Sequence, residues 1–361
     1  MASDRLQCLQ SSLELHKLDF LLVTHIPNIR YLTGFTGTAG VLAISGDRSV
    51  FITDGRYREQ ARHEVLGAKV VITRKPPLMA AADWLQSRAR RQNKAAVGIE
   101  PLHMSVSDRD RLSPALSGRF SIKNAPGLIE DKRLVKDKDE IALIRKAVLV
   151  GAELFNRLVG TIRPGVRETA IAAELEYAAR KAGCDAMSFP TIIASGARSA
   201  LPHGCASDQL IPRRGFVVCD FGVILTGYCS DMTRTLYVGR PDKLARNFYQ
   251  AVRDAQLAGI EAVRAGVRVA EVDRAARRGL KSAGLGRYFT HSTGHGVGLE
   301  IHEAPRIASG QTEILRPGMV ITIEPGAYVP RKWGVRVEDM VVVTERGCEV
   351  LTPTTKELIS I

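Results

Sequence analysis

The chain has 361 residues, 45% of them hydrophobic and 25% charged, with a formal net charge of +13. That length exceeds what a single hydrophobic core usually serves, so two domains are expected. The composition is that of an ordinary globular protein, and no apolar run approaches the roughly 20 residues of a membrane-spanning helix, so no membrane partner is expected.

In chain order, residues 4–18 carry Leu6, Leu9, Leu13 and Leu18 at helical spacing behind a polar Asp start. Residues 20–23 (FLLV) read as a short strand. Two further strands, 40–44 and 49–53, flank Gly46-Asp47, a hairpin signal. Residues 56–66 are predicted helical, 70–73 a strand and 78–91 a helix, with strands at 95–99 and 120–123. The sum is an α/β domain over residues 1–125 built on a mixed sheet. Its histidines, His16, His25, His63 and His103, are dispersed and read as structural.

The densest basic run, residues 88–94 (RARRQNK), closes one of these helices, where cations suit the helix dipole. The remaining excess charge is diffuse, about +7 over residues 1–125 and about +6 beyond. A nucleic-acid-binding face would cluster its cations around a motif. A solvated basic surface is the reading, with no nucleic-acid partner.

Residues 126–138 form a polar connector with Gly127 and several charges, and a second domain is expected over 139–361. Helices are predicted at 139–159 and 168–182, then again at 242–265 and 269–283, each pair broken at glycine. Helix, glycine, helix, then strands bearing polar residues, occurs twice, a hint of internal pseudo-symmetry. Six cysteines, Cys8, Cys184, Cys205, Cys219, Cys229 and Cys348, lack any C-x-x-C pair. They read as buried thiols of a reducing compartment, not a disulfide framework or thiolate zinc site. The N-terminus (MASDRLQCLQ) has no cationic region leading into an apolar stretch, so a cytoplasmic location is expected.

The later strands carry the chemistry. Asp220 interrupts the apolar run FVVCDFGV, where an ionised carboxylate needs a cation or a proton. Asp231 follows eleven residues later, and a hairpin of that length can return it opposite Asp220. Glu324 (MVITIEP) and Glu338 (VRVEDM) lie in two more apolar strands. Singly, each could be one half of a buried salt bridge. Together, with only Arg234 and Arg336 nearby, they leave excess negative charge that a multivalent cation would balance. Residues 291–303 (HSTGHGVGLEIHE) add His291, His295 and His302 among glycines, an active-site wall. With His295, the set becomes Asp220, Asp231, His295, Glu324 and Glu338. Carboxylate-rich ligation with one imidazole suits Mn²⁺, with Co²⁺ or Zn²⁺ as alternatives. Two such ions, roughly 3.5–4 Å apart, could share a hydroxide nucleophile, which points to hydrolysis.

That spacing, Asp220-x10-Asp231 … His295 … Glu324 … Glu338, in GYCSDMTRT, HSTGHGVG, EPGAY and GVRVED, resembles the M24 metallopeptidases of the pita-bread fold. YLTGFTG (31–37) and FITDGRY (51–57) resemble the N-terminal domain of their proline-specific branch, aminopeptidase P and Xaa-Pro dipeptidase. The resemblance implies an α+β chain: a C-terminal pita-bread (creatinase/aminopeptidase-like) catalytic domain behind a smaller α/β N-terminal domain, assembled as a homodimer. It implies that Asp220 binds one divalent ion, that Asp231 and Glu338 bridge both, and that His295 and Glu324 complete the second. A bridging hydroxide would attack the carbonyl before proline, with Glu324 shuttling the proton. His203, His291 and His302 match substrate-facing histidines, and Arg336 would orient a bridging carboxylate. Gly294, Gly296 and Gly298 would thin the backbone so that a proline ring can approach. Leu225 stands where many relatives carry tyrosine, which implies altered packing near the site and not lost activity.

Three activities remain open: a Xaa-Pro aminopeptidase acting on longer peptides, a Xaa-Pro dipeptidase (prolidase), and a non-catalytic peptide- or nucleic-acid-binding homologue. A dipeptidase must also grip the substrate's C-terminal carboxylate, and Arg331 and Lys332 are the candidates for that. Their compact loop favours the aminopeptidase, and the intact ligand set disfavours a non-catalytic homologue.

Overall fold

A computed structural model gives the structure of residues 2–88 and 94–361. Residues 89–93, the interior of the basic run, lie outside the described residues. The chain divides into two compact units, Met1–Arg133 and Leu134–Ile361.

The first unit opens with α1 (Ala2–Ser12), β1 (Phe20–Val23), α2 (Ile26–Thr33), β2 (Val41–Ser45) and β3 (Ser49–Asp54). It continues with α3 (Arg58–Glu64), β4 (Lys69–Thr73), α4 (Pro77–Arg88), β5 (Ala95–Ile99), α5 (Val106–Ala115), β6 (Phe120–Asn124) and α6 (Glu130–Arg133). One mixed sheet of order β4-β3-β2-β1-β5-β6 holds it together. The central strands β1 and β5 pair in parallel and are buried throughout, which is why they read as unbroken apolar runs. The helix expected over residues 4–18 ends at Ser12. Leu13 and Leu18 are buried as predicted, but a turn with Lys17 at φ 55° carries them there. Two helices had no clear signature: α2 is short and carries Pro27 in its first turn, and α5 buries only Leu112 and contains Pro114.

The second unit begins with α7 (Lys138–Val159) and α8 (Glu168–Lys181). Asp137 caps α7 in a capping box with Glu140, satisfying two backbone donors of the first turn. Then come β7 (Ala186–Met187), β8 (Ile192–Ser195), β9 (Gly215–Phe221), β10 (Val223–Leu225), β11 (Tyr228–Cys229) and β12 (Met232–Val238). The second helix pair is α9 (Lys243–Glu261) and α10 (Val269–Ser282), followed by β13 (Gly294–Gly296), β14 (Glu303–Ile307) and β15 (Val320–Ile323). Four strands close the chain: β16 (Gly326–Val329), β17 (Trp333–Arg336), β18 (Asp339–Val343) and β19 (Cys348–Val350).

The repetition seen in the sequence is structural. Before α8, Gly165 donates to Ile211 O and Glu168 to Gln209 O. Before α10, Gly266 donates to Leu315 O and Val269 to Glu313 O. Both glycines hold a left-handed backbone, φ 85° and 82°, which costs them nothing. Each half therefore ties the start of its second helix to the chain entering its strands. The strands form small sheets, β12-β9-β8 and β14-β13-β15-β18-β19 among them. Helix α9 turns Phe248, Tyr249, Val252, Ala255, Gln256 and Gly259 inward at helical spacing. Gly259 lets Ile323, at the end of β15, press close to that helix: an added Cβ would lie 2.8 Å from its Cγ2.

Candidate metal centre

Strand β9 buries Asp220 at its C-terminal end. Asp231 does not return opposite it. The chain first detours through β10 and β11, which join β7 in a sheet of their own, so Thr233 is the residue paired with Asp220. Asp231 precedes β12 by one residue. Likewise Glu324 lies one residue past β15, and Glu338 sits between β17 and β18. Only Asp220 is inside a strand; the other three acids stand where strands end and the backbone can aim a carboxylate sideways.

Those ends converge. Asp231, His295 and Glu338 each place a ligand atom within 4.8 Å of the others. His295 Nε2 lies 3.6 Å from Asp231 Oδ2 and 3.5 Å from Glu324 Oε1. Its Nδ1 faces the carbonyl of Gly296 at 3.0 Å, so that nitrogen carries the proton and Nε2 presents its lone pair. Burial lowers the pKa of His295 and keeps the ring neutral. Asp220, Asp231, His203, His291, His295, His302, Glu324, Arg336 and Glu338 all line one cavity of about 670 Å³.

The charge balance is unfinished. Burial, then the neighbouring carboxylates, pushes Asp231 well above the usual range, and the same causes raise Glu338. Glu324 is pushed up to about 7, chiefly by burial. Asp220 Oδ1 and Asp231 Oδ1 are buried and accept no hydrogen bond. Among the described residues one guanidinium, that of Arg336, is bonded to these carboxylates: its Nη2 donates to Asp220 Oδ2. Oxygen-rich donors, one neutral imidazole and two orphaned carboxylate oxygens fit a divalent cation.

Several side chains act differently from the sequence reading. Arg336 does not touch Glu338; it orients Asp220 and also donates to Tyr328 OH, Pro202 O and Thr233 Oγ1. Glu338 is held instead by Thr233, whose hydroxyl donates to its Oε2 at 2.7 Å. Thr322 serves the other side, donating to Glu324 Oε1 at 3.4 Å and accepting from His295 N at 3.1 Å. His291 has both ring nitrogens engaged, by Ser292 O at 2.8 Å and Tyr328 OH at 3.0 Å, and burial drops its pKa to about 4. His302 is exposed, its ring centroid 4.5 Å from that of His295, and His203 is exposed at the cavity wall.

The glycines do not thin the wall for a ligand. A Cβ on Gly294 would lie 1.9 Å from Thr322 O, one on Gly296 2.1 Å from Ala304 O, and one on Gly298 2.6 Å from a Glu303 carboxylate oxygen. They admit neighbouring strands and a side chain, and so set the position of His295. Arg331 and Lys332 do not line the cavity; Arg306, unremarked in the sequence, does. Tyr328 and Thr233 lay within EPGAY and GYCSDMTRT without a role.

Buried carboxylates and one imidazole at the wall of an open cavity, on a duplicated α+β unit, define a metal-dependent hydrolase. Residues 142–345 match the model of metallopeptidase family M24, and residues 5–135 match the Creatinase/Prolidase N-terminal domain. The chain belongs to family M24 and has its pita-bread fold. It is 37% identical to the Xaa-Pro dipeptidase of Pyrococcus furiosus, covering 99% of both chains. The structure of the Xaa-Pro dipeptidase from Bacillus anthracis superposes with a TM-score of 0.95 at 40% identity, over 100% of each chain. An X-Pro aminopeptidase from Thermotoga maritima gives 0.88 at 35%, over 97% of this chain and 99% of that one. Among the described residues, no helix is long and apolar enough to cross a membrane.

Proposed function

We propose that the chain is a Xaa-Pro dipeptidase, which hydrolyses the bond between a residue and a C-terminal proline. The observation that carries this over the aminopeptidase reading is Arg306. It lines the catalytic cavity and sits on β14 directly opposite His295. It has no hydrogen-bonded or ion-paired partner among the described residues. A free guanidinium at that point suits a carboxylate, which binds it through two parallel N–H donors. A dipeptide offers a carboxylate one residue past the scissile bond; a longer peptide offers an amide there. Full-length similarity to proteins described as Xaa-Pro dipeptidases supports the same reading.

In this reading Asp220, Asp231, His295, Glu324 and Glu338 would together hold two divalent ions, Asp231 and Glu338 serving both. Bound there, such ions, with Mn²⁺ favoured, would polarise the scissile carbonyl and make water acidic enough to supply hydroxide near neutrality. The rest falls to side chains. The bond before proline is a tertiary amide, so its nitrogen must gain a proton to leave. Glu324, on the cavity wall beside His295, is placed to collect one from the attacking water and deliver it to that nitrogen. His203 and His302, exposed at the cavity wall, are the donors for the substrate's carbonyl and carboxylate. Arg336 and Thr233 keep Asp220 and Glu338 aimed inward.

The test offers Mn²⁺-loaded protein an Xaa-Pro dipeptide, its C-terminal amide and an Xaa-Pro-Xaa tripeptide. The dipeptide should be preferred, and Arg306→Met should raise its KM about tenfold or more while leaving the amide's unchanged. Tripeptide cleavage at equal or higher kcat/KM would return the assignment to the aminopeptidase.

A further inference from the structure

Behind the carboxylates, on the side away from the cavity, lies a second polar cluster. Ile323 and Asp339 form the last rung of the β15–β18 pair. Glu324 and Glu338 are the next residues outward from that rung, so one pair of backbone positions sets both acids. Side chains alternate along a strand, and Asp339 points away from its neighbour Glu338 and does not line the cavity.

Asp339 is fully buried and gripped from three elements. Arg234 of β12 donates to its Oδ1 at 2.7 Å. Gln256 of α9 donates to its Oδ2 at 2.9 Å, and Lys356, from the segment after β19, does so at 2.5 Å. Arg234 also donates to the carbonyl of Glu338 itself, and to Thr354 O and Thr355 O at 2.9 Å each. Gln256 reaches Ile323 O at 3.4 Å. The peptide units next to both acids are thus held through hydrogen bonds that end on the C-terminal segment.

We propose that Asp339 is a positioning residue for Glu338 and Glu324, and that Arg234, Gln256 and Lys356 complete a clamp through which the C-terminal segment tunes the metal site. The inference rests on reading those two acids as metal ligands. Partners beyond the ligands commonly control metal affinity by roughly 10–100-fold. Lys356 is the best probe because its side chain is 22% exposed, so its loss need not unfold the protein.

Chelator-treated wild type, Lys356→Met, Lys356→Arg and Asp339→Asn would be titrated with Mn²⁺ by calorimetry, and the thermal midpoint followed without metal. Lys356→Met should bind Mn²⁺ about tenfold more weakly while the metal-free midpoint stays near that of wild type, and Lys356→Arg should restore most of the affinity. Excess Mn²⁺ should recover kcat with KM unchanged. Asp339→Asn should be weaker still; if it does not fold, the lysine pair decides. Affinity of Lys356→Met within twofold of wild type, or above it, overturns the clamp. Wild type that binds no divalent ion overturns the reading of the site, and the clamp with it.

Discussion

Arg336 offers a sharp test of how the site is held together, because among the described residues it is the only cation bonded to one of the clustered carboxylates. Its guanidinium makes four hydrogen bonds, to Asp220, Tyr328, Thr233 and Pro202, and the side chain is almost wholly buried. Replacing it with methionine keeps much of the volume but leaves Asp220 buried without a counter-charge. Breaking a buried pair by removing one partner typically costs about 3–5 kcal/mol. For a domain of 150–250 residues each kcal/mol moves the midpoint by roughly 2–4 °C, so chelated Arg336→Met should melt about 6–20 °C below chelated wild type. Saturating Mn²⁺ should narrow that gap, since a cation at Asp220 supplies what the guanidinium did. Differential scanning calorimetry with chelator and with metal measures both. A chelated loss under about 2 °C, or a gap that metal leaves unchanged, would refute the account of Asp220 as a carboxylate in need of positive charge.

The sequence disclosed the site's residues better than their arrangement, for a physical reason. A carboxylate in an apolar run is costly wherever it points, so Asp220, Glu324 and Glu338 stood out before any contact was known. Which partner relieves each one depends on side-chain direction and register. The expected Asp220–Asp231 hairpin fails because β10 and β11 leave for another sheet, a detour that three-residue and two-residue strands barely mark. Arg336 was expected to orient a bridging carboxylate, whereas its side chain crosses to Asp220 on β9. Arg306 carries no local signal at all; its meaning comes from lying across the ladder from His295. Within the first unit, β1 and β5 appear at their predicted bounds because burial on both faces yields continuous apolar strands. Helix α5, with one buried residue, has no period to detect.

Two further outcomes follow from the geometry of the wall and the charge of its acids. Gly294→Ala puts a methyl 1.9 Å from Thr322 O, so β13 must shift; a loss of about 1–3 kcal/mol or more is expected, with weaker metal binding, while Gly46→Ala, whose Cβ meets nothing within 4 Å, serves as the neutral control in the same melting assay. The pH dependence of metal stabilisation tests the acids themselves. Without metal, the folded state holds protons on Glu324 and Glu338 that the unfolded chain releases near pH 4.5, and on Asp231 one that it releases near 3.8. Their contribution to stability is therefore present at low pH and is lost as pH rises; for Glu324 the loss runs up to about 7 and corresponds to roughly 3 kcal/mol. His291, lowered to about 4, runs the opposite way, gaining stability as pH climbs through 4–6.5. Subtracting the chelated midpoint from the metal-loaded one removes the groups that do not respond to the metal. The difference should widen steadily from pH 5 to 7.5, because the cation takes the place of protons the acids can no longer keep. A difference that stays level across that window would mean the carboxylates are already ionised and paired without metal, and the case for a cation between them would fall.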